Sequence, residues 1–501
     1  MGKAYRPWAP TQGLMFPPSP SDWLPDGHLV YFLLDLVEEL DLSEIHRKHQ
    51  AKDPRGSRPY HPGMMTLLLL YGYCVGVPSS RRIEKATYED VAFRVLSGGQ
   101  HPDHTRISEF RRVHLKELAG LFVQVLRLCQ KAGLVKLGAV ALDGTKEKAN
   151  ASKHKAMSYE RMEKTEARLK KEIEELLRKA ESVDEEEDDR YGRGRRGDEL
   201  PDELKRREDR LKKIKQAKAE LEAEAAAAQA RKRAKQAQEA QEKAESEQAG
   251  EREEAARKHA EESAERSRKA ADQAREAAKK AEMDEPNLKL RRDDDFPSHQ
   301  VQATPDGKPK PKAQRNFTDP DSRIMKDGSG YVQGYNAQAV VDAECQIIVA
   351  AEVTNQPPDT EHLIPMLKLT ISNCGAVPDK ALADAGYWSE ANEKAALEMG
   401  IDPYIATGRL RRGEVESPPI GRIPNTLGAK ERMHRKIRTR KGKAIYARRK
   451  AIVEPVFGQV KEPRGLRQFL LRGLAKVRGE FSLISLTHNI LKLWRASAAP
   501  A

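Results

Sequence analysis

Three carboxylates in this 501-residue chain have the surroundings expected of metal-binding acids. Asp143 ends the short apolar run LGAVALDG and Asp384 ends KALADAG, so each is predicted to lie at the end of a buried strand. A small residue follows each of them, Gly144 and Ala385, which would let a ligand approach closely. The third acid, Glu454, interrupts the apolar stretch AIVEPVFGQVK.

Three carboxylates that converge on one edge of a sheet repel one another, and a pair of Mg²⁺ ions is the usual compensation. Two such ions can activate an attacking oxygen and stabilise the leaving oxygen of a phosphodiester. The acids therefore predict metal-dependent phosphodiester chemistry. Taken singly, each also has a structural interpretation: a turn aspartate before glycine for Asp143, a strand-end cap for Asp384 and a helix start for Glu454.

Other polar residues near these acids have simpler interpretations. Asp342 is the main rival for the second acid, but it lies in the DAEC turn between two predicted strands, GYNAQAVVD and QIIVAAEVT, where a turn role suffices. Asp359 is expected to cap the helix that begins near it, and His362 to be a surface or packing residue. Neither is assigned to catalysis.

Composition favours an anionic partner. The formal net charge is +13 and the isoelectric point is near 9.3, which is typical of nucleic-acid-binding proteins, enzymes and non-enzymes alike. The four cysteines have no metal-ligand or redox spacing, which indicates a reducing compartment. No apolar run is long enough for a membrane span and no signal core is present, so a cytoplasmic protein without membrane contact is expected.

The N-terminal part, residues 1–135, alternates helical apolar patterns with turn signals and is predicted to be an all-helical domain. One of its short helices carries three arginines behind a capping residue, Asp103. This helix is either a recognition helix or a solvated basic face of a bundle. The three arginines are Arg106, Arg111 and Arg112.

A charged block, residues 156–315, interrupts an α/β domain whose two parts are 136–155 and 316–407. Two apolar seams at seven-residue spacing predict two helices that fold back on each other in a coiled-coil-like hairpin. After Leu221 almost nothing can be buried until Met283, so that stretch is expected to be a solvated helix or partly disordered. The hairpin would pair with a second subunit, separate DNA ends or act as a spacer. The seams contain Met162, Leu169, Ile173, Leu176, Ala180 and Val183, and Leu200, Leu204, Leu211, Ile214 and Leu221.

Residues 408–450 are basic and rich in turn residues, and they lead into the C-terminal helices of residues 451–501. DNA contact is expected in this arm rather than mere solvation of its charges. If residues 455–461 are helical, Glu454, Gly458 and Lys461 lie on one face, along a path that a phosphate backbone could follow. Pro455 disfavours helical geometry at Glu454, which places the acid at a helix entrance or a kink. The arm's proposed contacts are Arg409, Arg411, Arg412, Arg435, Lys436 and Arg438.

The ordered set of motifs resembles a DDE-type bacterial insertion-sequence transposase whose third acid lies in a Tyr, Arg, Glu, Lys signature. Tyr446, Glu454 and Lys461 match that signature, while Arg449 and Lys450 both remain candidates for its arginine because the middle spacing differs by one residue. The supporting phrases are LDGTKEKANAS, ADAGYWSE, VEPVFGQVK and THNILKLW. The resemblance covers about 28–150 and 316–495 and leaves out the charged block.

The resemblance implies an RNase H-like mixed sheet with flanking helices. It also implies that the helical domain of residues 1–135 binds the DNA ends, and that two Mg²⁺ ions, or Mn²⁺ as a substitute, are bound by Asp143, Asp384 and Glu454. The expected partners are the terminal inverted repeats of the element and target DNA, held by a homodimer that is associated with the bacterial nucleoid. Hydrolysis would free a 3′-hydroxyl that attacks target DNA, with or without a hairpin intermediate. Trp388, four residues after Asp384, could stack on a base or belong to the core. A DNA-binding protein without catalysis and a stand-alone nuclease are the alternatives.

Overall fold

A computed structural model describes residues 20–50, 59–191, 202–246, 296–327, 330–408 and 426–498, together with Pro419, Gly421 and Pro424. Helices make up the described N-terminal region, as predicted. Asp103 caps its helix by accepting hydrogen bonds from the amides of Thr105 and Arg106, at 2.9 and 3.0 Å. After a 3-10 turn at Pro20–Trp23, these helices are α1 (Leu29–Glu39), α2 (Ser43–Gln50), α3 (Pro62–Cys74), α4 (Ser80–Glu89), α5 (Val91–Leu96), α6 (His104–Val113) and α7 (Leu115–Lys131).

A mixed sheet follows, in the predicted order of strands and helices. Strand β1 pairs antiparallel with β5 and parallel with β7, and β7 pairs parallel with β8. The far edge of β5 is covered by β6 and by a short strand, β4, that the sequence did not predict. This arrangement is consistent with an RNase H-like sheet. Its elements are β1 (Val140–Lys148), β4 (Arg323–Asp327), β5 (Gly330–Asp342), β6 (Ile348–Thr354), α10 (Leu363–Cys374), β7 (Lys380–Ala383), α11 (Glu390–Glu398) and β8 (Asp402–Ile405); 3-10 turns lie at Thr360–His362 and Ala385–Tyr387.

Three helices complete the chain: α12 (Ala429–Arg438), α13 (Arg440–Lys461) and α14 (Leu474–Ser497). Helix α14 packs against β6 on one side and against α7 and α3 on the other. Its Asn489 side chain bonds both backbone groups of Ile348 at the start of β6, at 2.9 and 2.8 Å. Gly479 allows the close approach of α7, because a Cβ there would lie 2.6 Å from Leu115 Cγ. The hydrophobic core is therefore continuous from the N-terminal helices into the sheet.

The charged block contains two antiparallel helices, α8 (Tyr159–Tyr191) and α9 (Asp202–Ser246). The Tyr159 hydroxyl donates to Glu222 at 2.6 Å, and Arg207 pairs with Glu172 at 3.4 Å further along. Seam residues Met162, Leu169, Ile214 and Leu221 are buried together, whereas coiled-coil-like packing remains a prediction. Leu200 lies outside the described residues, as do the side chains of Ala180, Val183 and Leu204.

Residues 222–246 of the stretch after Leu221 are helical, because α9 continues to Ser246, and Ala225 and Ala230 are buried. The rest of that stretch, from residue 247 to Met283, lies outside the described residues. The base of the hairpin is a two-stranded sheet of β2 (Ala156–Ser158) and β3 (Gln314–Asn316), next to a 3-10 turn at Lys153–Lys155. Arg315 on β3 binds Glu220 at 2.6 Å and also Glu224, which ties α9 to the rest of the protein. In the described part of the chain no helix is sufficiently long and apolar to cross a membrane.

Candidate active site

Asp143 lies inside β1 rather than at its end. The prediction that the strand stops at Gly144 was wrong, because β1 continues to Lys148 and pairs with β5 along its whole length, from Val140↔Asp342 to Lys148↔Gly334. The Asp143 side chain is 20% exposed and accepts a hydrogen bond from the Gly144 amide at 2.9 Å. The first acid is therefore held by a central strand of the sheet.

Asp384 directly follows β7, as predicted. Because β7 runs parallel to β1 with Ala383 paired to Leu142, the next residue on each strand is an aspartate, Asp384 and Asp143. Asp384 accepts a hydrogen bond from the Gly386 amide at 2.8 Å and so starts the short turn that follows. The first two acids therefore lie side by side on neighbouring strands, where β7 ends.

Glu454 lies in the interior of α13. The expectation of a helix entrance at this acid was wrong, since the helix is continuous over 22 residues with Pro455 inside it, whereas a kink at this position remains a prediction. Proline cannot donate to the carbonyl four residues earlier, which belongs to Ala451. The Gln346 side chain donates to that carbonyl instead, at 2.9 Å. The expected apolar packing beneath the acid is present: Val453, Val456 and Val460 are buried and Phe457 is partly buried.

Arg449 links the first and third acids. Its Nη1 donates to Asp143 Oδ2 at 2.9 Å, and its Nη2 lies 3.8 Å from Glu454 Oε1. The Arg449 side chain is only 10% exposed, while Lys450 is exposed to solvent. Of the two candidates for the signature arginine, only Arg449 reaches the acids in this structure.

The electrostatics of Asp143 reflect these neighbours. Burial raises the pKa of Asp143, the charge of Arg449 acts to lower it, and the charge of Asp384 raises it. Burial also acts to lower the pKa of Arg449, but Asp143 and then Tyr446 outweigh it, so the pKa of the guanidinium is raised. Burial raises the pKa of Tyr446, which lies close enough for Arg449, Asp384 and Asp143 to act on it. The signature tyrosine therefore belongs to the same cluster.

Lys461 binds the same face of β1 further along. Its ammonium donates to Thr145 Oγ1 at 2.6 Å and to Glu147 Oε1 at 2.8 Å. Residues 143, 145 and 147 share one face of a strand because side chains alternate. Helix α13 thus covers that face with a cation at each end, Arg449 over Asp143 and Lys461 over Glu147.

A divalent cation fits the donor chemistry here, because carboxylate oxygens are the ligands that Mg²⁺ prefers. Among the described residues, however, no three His, Cys, Asp or Glu side chains lie close enough to form a metal site. The predicted set of Asp143, Asp384 and Glu454 is therefore not assembled at coordinating distance. Arg449 supplies the positive charge between Asp143 and Glu454 instead.

The arginines of α6 separate into two classes. Arg106 and Arg112 are exposed, as DNA contact requires. Arg111 was predicted with them, but it is 5% exposed and donates to the Tyr73 hydroxyl at 3.3 Å and to the Pro78 carbonyl at 2.9 Å. Its side chain is part of the core and is not placed to contact DNA.

The basic arm is more helical than its turn residues suggested, since α12 and the first half of α13 occupy residues 429–450. Arg435 and Arg438 are half-buried on α12. Lys436 is held by Asp402 at 2.5 Å and by the Pro403 carbonyl at 2.8 Å, so it is engaged within the fold. Trp388 is half-buried against the core, and its stacking on a base remains a prediction. Arg409, Arg411 and Arg412 lie outside the described residues.

Sequence reasoning missed one polar cluster beside the acids. Asp359 was expected to cap a helix, but its side chain makes no capping bond; its Oδ1 accepts from Lys146, Asn336 and Gln338. The sequence does contain one indication of this cluster: Asn336 and Gln338 are two residues apart on β5, so their polar side chains lie on the same face of the strand. His362 is buried, as a packing residue would be. Asp342 accepts a hydrogen bond from the Glu344 amide in the DAEC turn, as expected, and another from the Leu137 amide just before β1.

Two segments of the chain match family models. Residues 18–113 match a model described as a transposase domain (DUF772), and residues 422–494 match one described as a transposase DDE domain. The second segment contains Arg449, Glu454 and Lys461, whereas Asp143 and Asp384 lie outside both. Comparisons with curated proteins and with solved structures found no match.

Proposed function

We propose that this chain, which its two matched segments indicate to be a transposase of the DDE type, cleaves DNA at the ends of a transposable element and transfers the freed strand to target DNA. The proposed acidic set is Asp143, Asp384 and Glu454. One observation carries the assignment: the Arg449 guanidinium contacts both Asp143 and Glu454, while the charge of Asp384 acts on Asp143. These interactions between three distant parts of the chain support the proposed set of acids.

A divalent ion, Mg²⁺ with Mn²⁺ as a substitute, would be held by these three carboxylates. When bound, two such ions would supply neutralisation of negative charge and activation of oxygen at a phosphodiester. The role of the protein is to position the three carboxylates. Strand β1 fixes Asp143, the turn after β7 fixes Asp384, and α13 presents Glu454 on an exposed face. Arg449 holds Asp143 and Glu454 near each other before the ions enter.

The proposed DNA path runs along the exposed face of α13. Lys450 is exposed near the acids, and a Cβ at Gly458 would meet nothing within 4 Å, which leaves room for a phosphate backbone beside Glu454. Lys461 would contact a phosphate only by exchanging its bonds to Thr145 and Glu147. Tyr446, Arg435, Arg438 and Trp388 flank this path in the proposal. On α6, Arg106 and Arg112 would contact the element end.

The test is cleavage of an end-labelled duplex that carries the inverted repeats flanking the coding region. With Mg²⁺, the wild type is expected to give nicked and strand-transfer products. Asp143→Asn, Asp384→Asn and Glu454→Gln should each reduce product formation by about 10³-fold, as expected for residues that act as one unit. Asp379→Asn is the matched control, since Asp379 is exposed at the opposite end of β7.

The products also separate this proposal from its alternatives. Tight, salt-sensitive DNA binding without cleavage in Mg²⁺ or Mn²⁺ would identify a non-catalytic DNA-binding protein. Cleavage without any joined product would identify a nuclease. Normal yields from Asp143→Asn would remove the assigned acids from the mechanism.

We infer that two copies of the chain hold the two element ends. Strand transfer of both ends of one element requires two sets of acids in one complex, and each chain supplies one set. Light scattering on the protein alone and with the labelled duplex tests this statement. A complex that contains one chain and one duplex at saturating DNA would contradict it.

A further inference from the structure

The face of the sheet opposite α13 carries buried polar side chains where an apolar core would be usual. Asn336 and Gln338 on β5 are 0% and 1% exposed, and they pair with Lys146 and Gly144 of β1. These partners alternate with Asp143 and Thr145, so they point to the other side of the same strand. The polar cluster therefore lies directly behind the first acid.

Asp359 is the centre of this cluster. Its Oδ1 accepts from Lys146 Nζ at 3.0 Å, from Asn336 Nδ2 at 2.7 Å and from Gln338 Nε2 at 2.9 Å. Gln338 also donates to Asn336 Oδ1 at 2.9 Å. Buried polar groups in a fully connected network fix one arrangement of their elements, since any displacement leaves groups unpaired. Here the network joins β1, β5 and the loop after β6.

The same network reaches the turn that carries the second acid. Tyr387, three residues after Asp384 and fully buried, donates its hydroxyl to Gln338 Oε1. The Thr360 hydroxyl, one residue after Asp359, donates to the Gly386 carbonyl at 2.8 Å. The turn at 385–387 is thus bonded on two sides to the Asp359 cluster.

Gly144 makes this connection geometrically feasible. A Cβ at that position would collide with the Gln338 carboxamide, so only glycine lets Gln338 lie across β1 immediately beside Asp143. The Gln338 side chain therefore packs against Gly144, next to the first acid, and accepts a hydrogen bond from Tyr387 in the turn that follows the second acid. This requirement explains the glycine after Asp143 without any contact to a ligand.

We propose that Asp359, Gln338 and Tyr387 are positioning residues that set the separation of Asp384 from Asp143. The inference rests on the proposed function, in which both aspartates hold the same divalent ions. It adds residues that touch neither ion nor DNA and act only through the two acids. Partners of this kind typically change metal affinity or activity by about 10- to 100-fold when they are removed.

The test compares two tyrosine-to-phenylalanine variants of the full chain. Tyr387→Phe removes the bond to Gln338, and Tyr335→Phe removes another buried hydroxyl bond, 2.8 Å to Asp319, on the same strand β5 but away from the acids. Hydrogen exchange at the amides of residues 385–388 is expected to accelerate about tenfold in Tyr387→Phe only. The Mn²⁺ concentration for half-maximal cleavage should rise about tenfold in the same variant, with both melting temperatures lowered similarly.

Asp359 variants provide the second arm. Asp359→Ala should reproduce both effects of Tyr387→Phe, and Asp359→Asn, which keeps an acceptor for Asn336 and Gln338, should restore most of the exchange protection. Unchanged exchange in the 385–388 turn, or equal Mn²⁺ requirements in Tyr387→Phe and Tyr335→Phe, would overturn the inference. A wild type that never cleaves would defeat the proposed function instead, and the exchange comparison would still decide whether the cluster holds the Asp384 turn.

Discussion

Arg449 and Asp143, separated by 306 residues in the chain, form a hydrogen-bonded ion pair of 2.9 Å at the candidate active site. The pair is mostly buried, with side-chain exposures of 10% and 20%. Burial disfavours the ionised carboxylate of Asp143, and the positive charge of Arg449 stabilises that ionised form. Its second nitrogen faces Glu454, so one side chain organises two acids.

Arg449→Met is predicted to destabilise the protein in a pH-dependent way. Burial already raises the pKa of Asp143, and loss of Arg449 removes the charge that opposes this, so the pKa rises further. A raised folded-state pKa gives stability that is present at low pH and lost as pH rises through that value. The loss in unfolding free energy should therefore be small near pH 4 and about 2 kcal/mol near pH 8.

Urea unfolding at both pH values measures this difference. Lys450→Met is the control, because it removes the neighbouring cation from an exposed position and should change stability by less than about 0.5 kcal/mol. An equal loss at pH 4 and pH 8 would show that Arg449 stabilises the fold by packing rather than by pairing with the acid.

Gln346 is predicted to compensate for Pro455. Its side chain donates to the Ala451 carbonyl that the proline leaves without a helical partner, at 2.9 Å. Gln346→Met should cost about 1 kcal/mol of unfolding free energy. In a Pro455→Ala background the restored amide can bond to Ala451, so the same substitution should cost measurably less. A double-mutant cycle by urea unfolding tests this, and full additivity would exclude the compensation.

The sheet was largely predictable from the sequence because its central strands are buried and bounded by turn residues. The two strands around the DAEC turn and the strand before Asp384 all formed as predicted. Strand β4, sequence RIMKD, escaped prediction because it is charged and lies at an edge, where it pairs only with the first residues of β5. Edge position is a property of the assembled sheet, which a local pattern does not contain.

The candidate site was predictable in its residue types but less so in its geometry. Adjacent helical positions point about 100° apart, so the choice between Arg449 and Lys450 depended on how α13 sits on the sheet. Helix α13 continues through Pro455, and the donor that the proline cannot supply to Ala451 comes from Gln346, which is 105 residues from Ala451 in sequence. The Asp359 cluster requires three elements to meet, which the sequence alone did not indicate.

Gly458 is predicted to matter for DNA rather than for folding. A Cβ there would meet no atom within 4 Å, so Gly458→Ala should raise stability by about 0.5–1 kcal/mol through helix propensity. Gly458→Glu should weaken binding of the inverted-repeat duplex about tenfold if the backbone passes this face. Gln459→Glu adds the same charge at the next position of the helix and is the control. Fluorescence anisotropy at fixed salt concentration measures the DNA affinity of both variants. Equal losses of affinity would show that the DNA backbone does not pass Gly458.

The neighbouring arginines of α6 provide a final prediction, because one is buried and one is exposed. Arg111→Met would leave the Tyr73 hydroxyl and the Pro78 carbonyl without this donor, and would remove the positive charge facing buried Glu480, so it should cost about 3 kcal/mol of stability. Arg112→Met should leave stability unchanged but reduce the slope of log affinity against log salt by about one. Urea unfolding and salt-dependent anisotropy separate the two effects. If a folded Arg111→Met protein also showed a smaller slope of log affinity against log salt, Arg111 would have to contact DNA, which contradicts its assignment to the core.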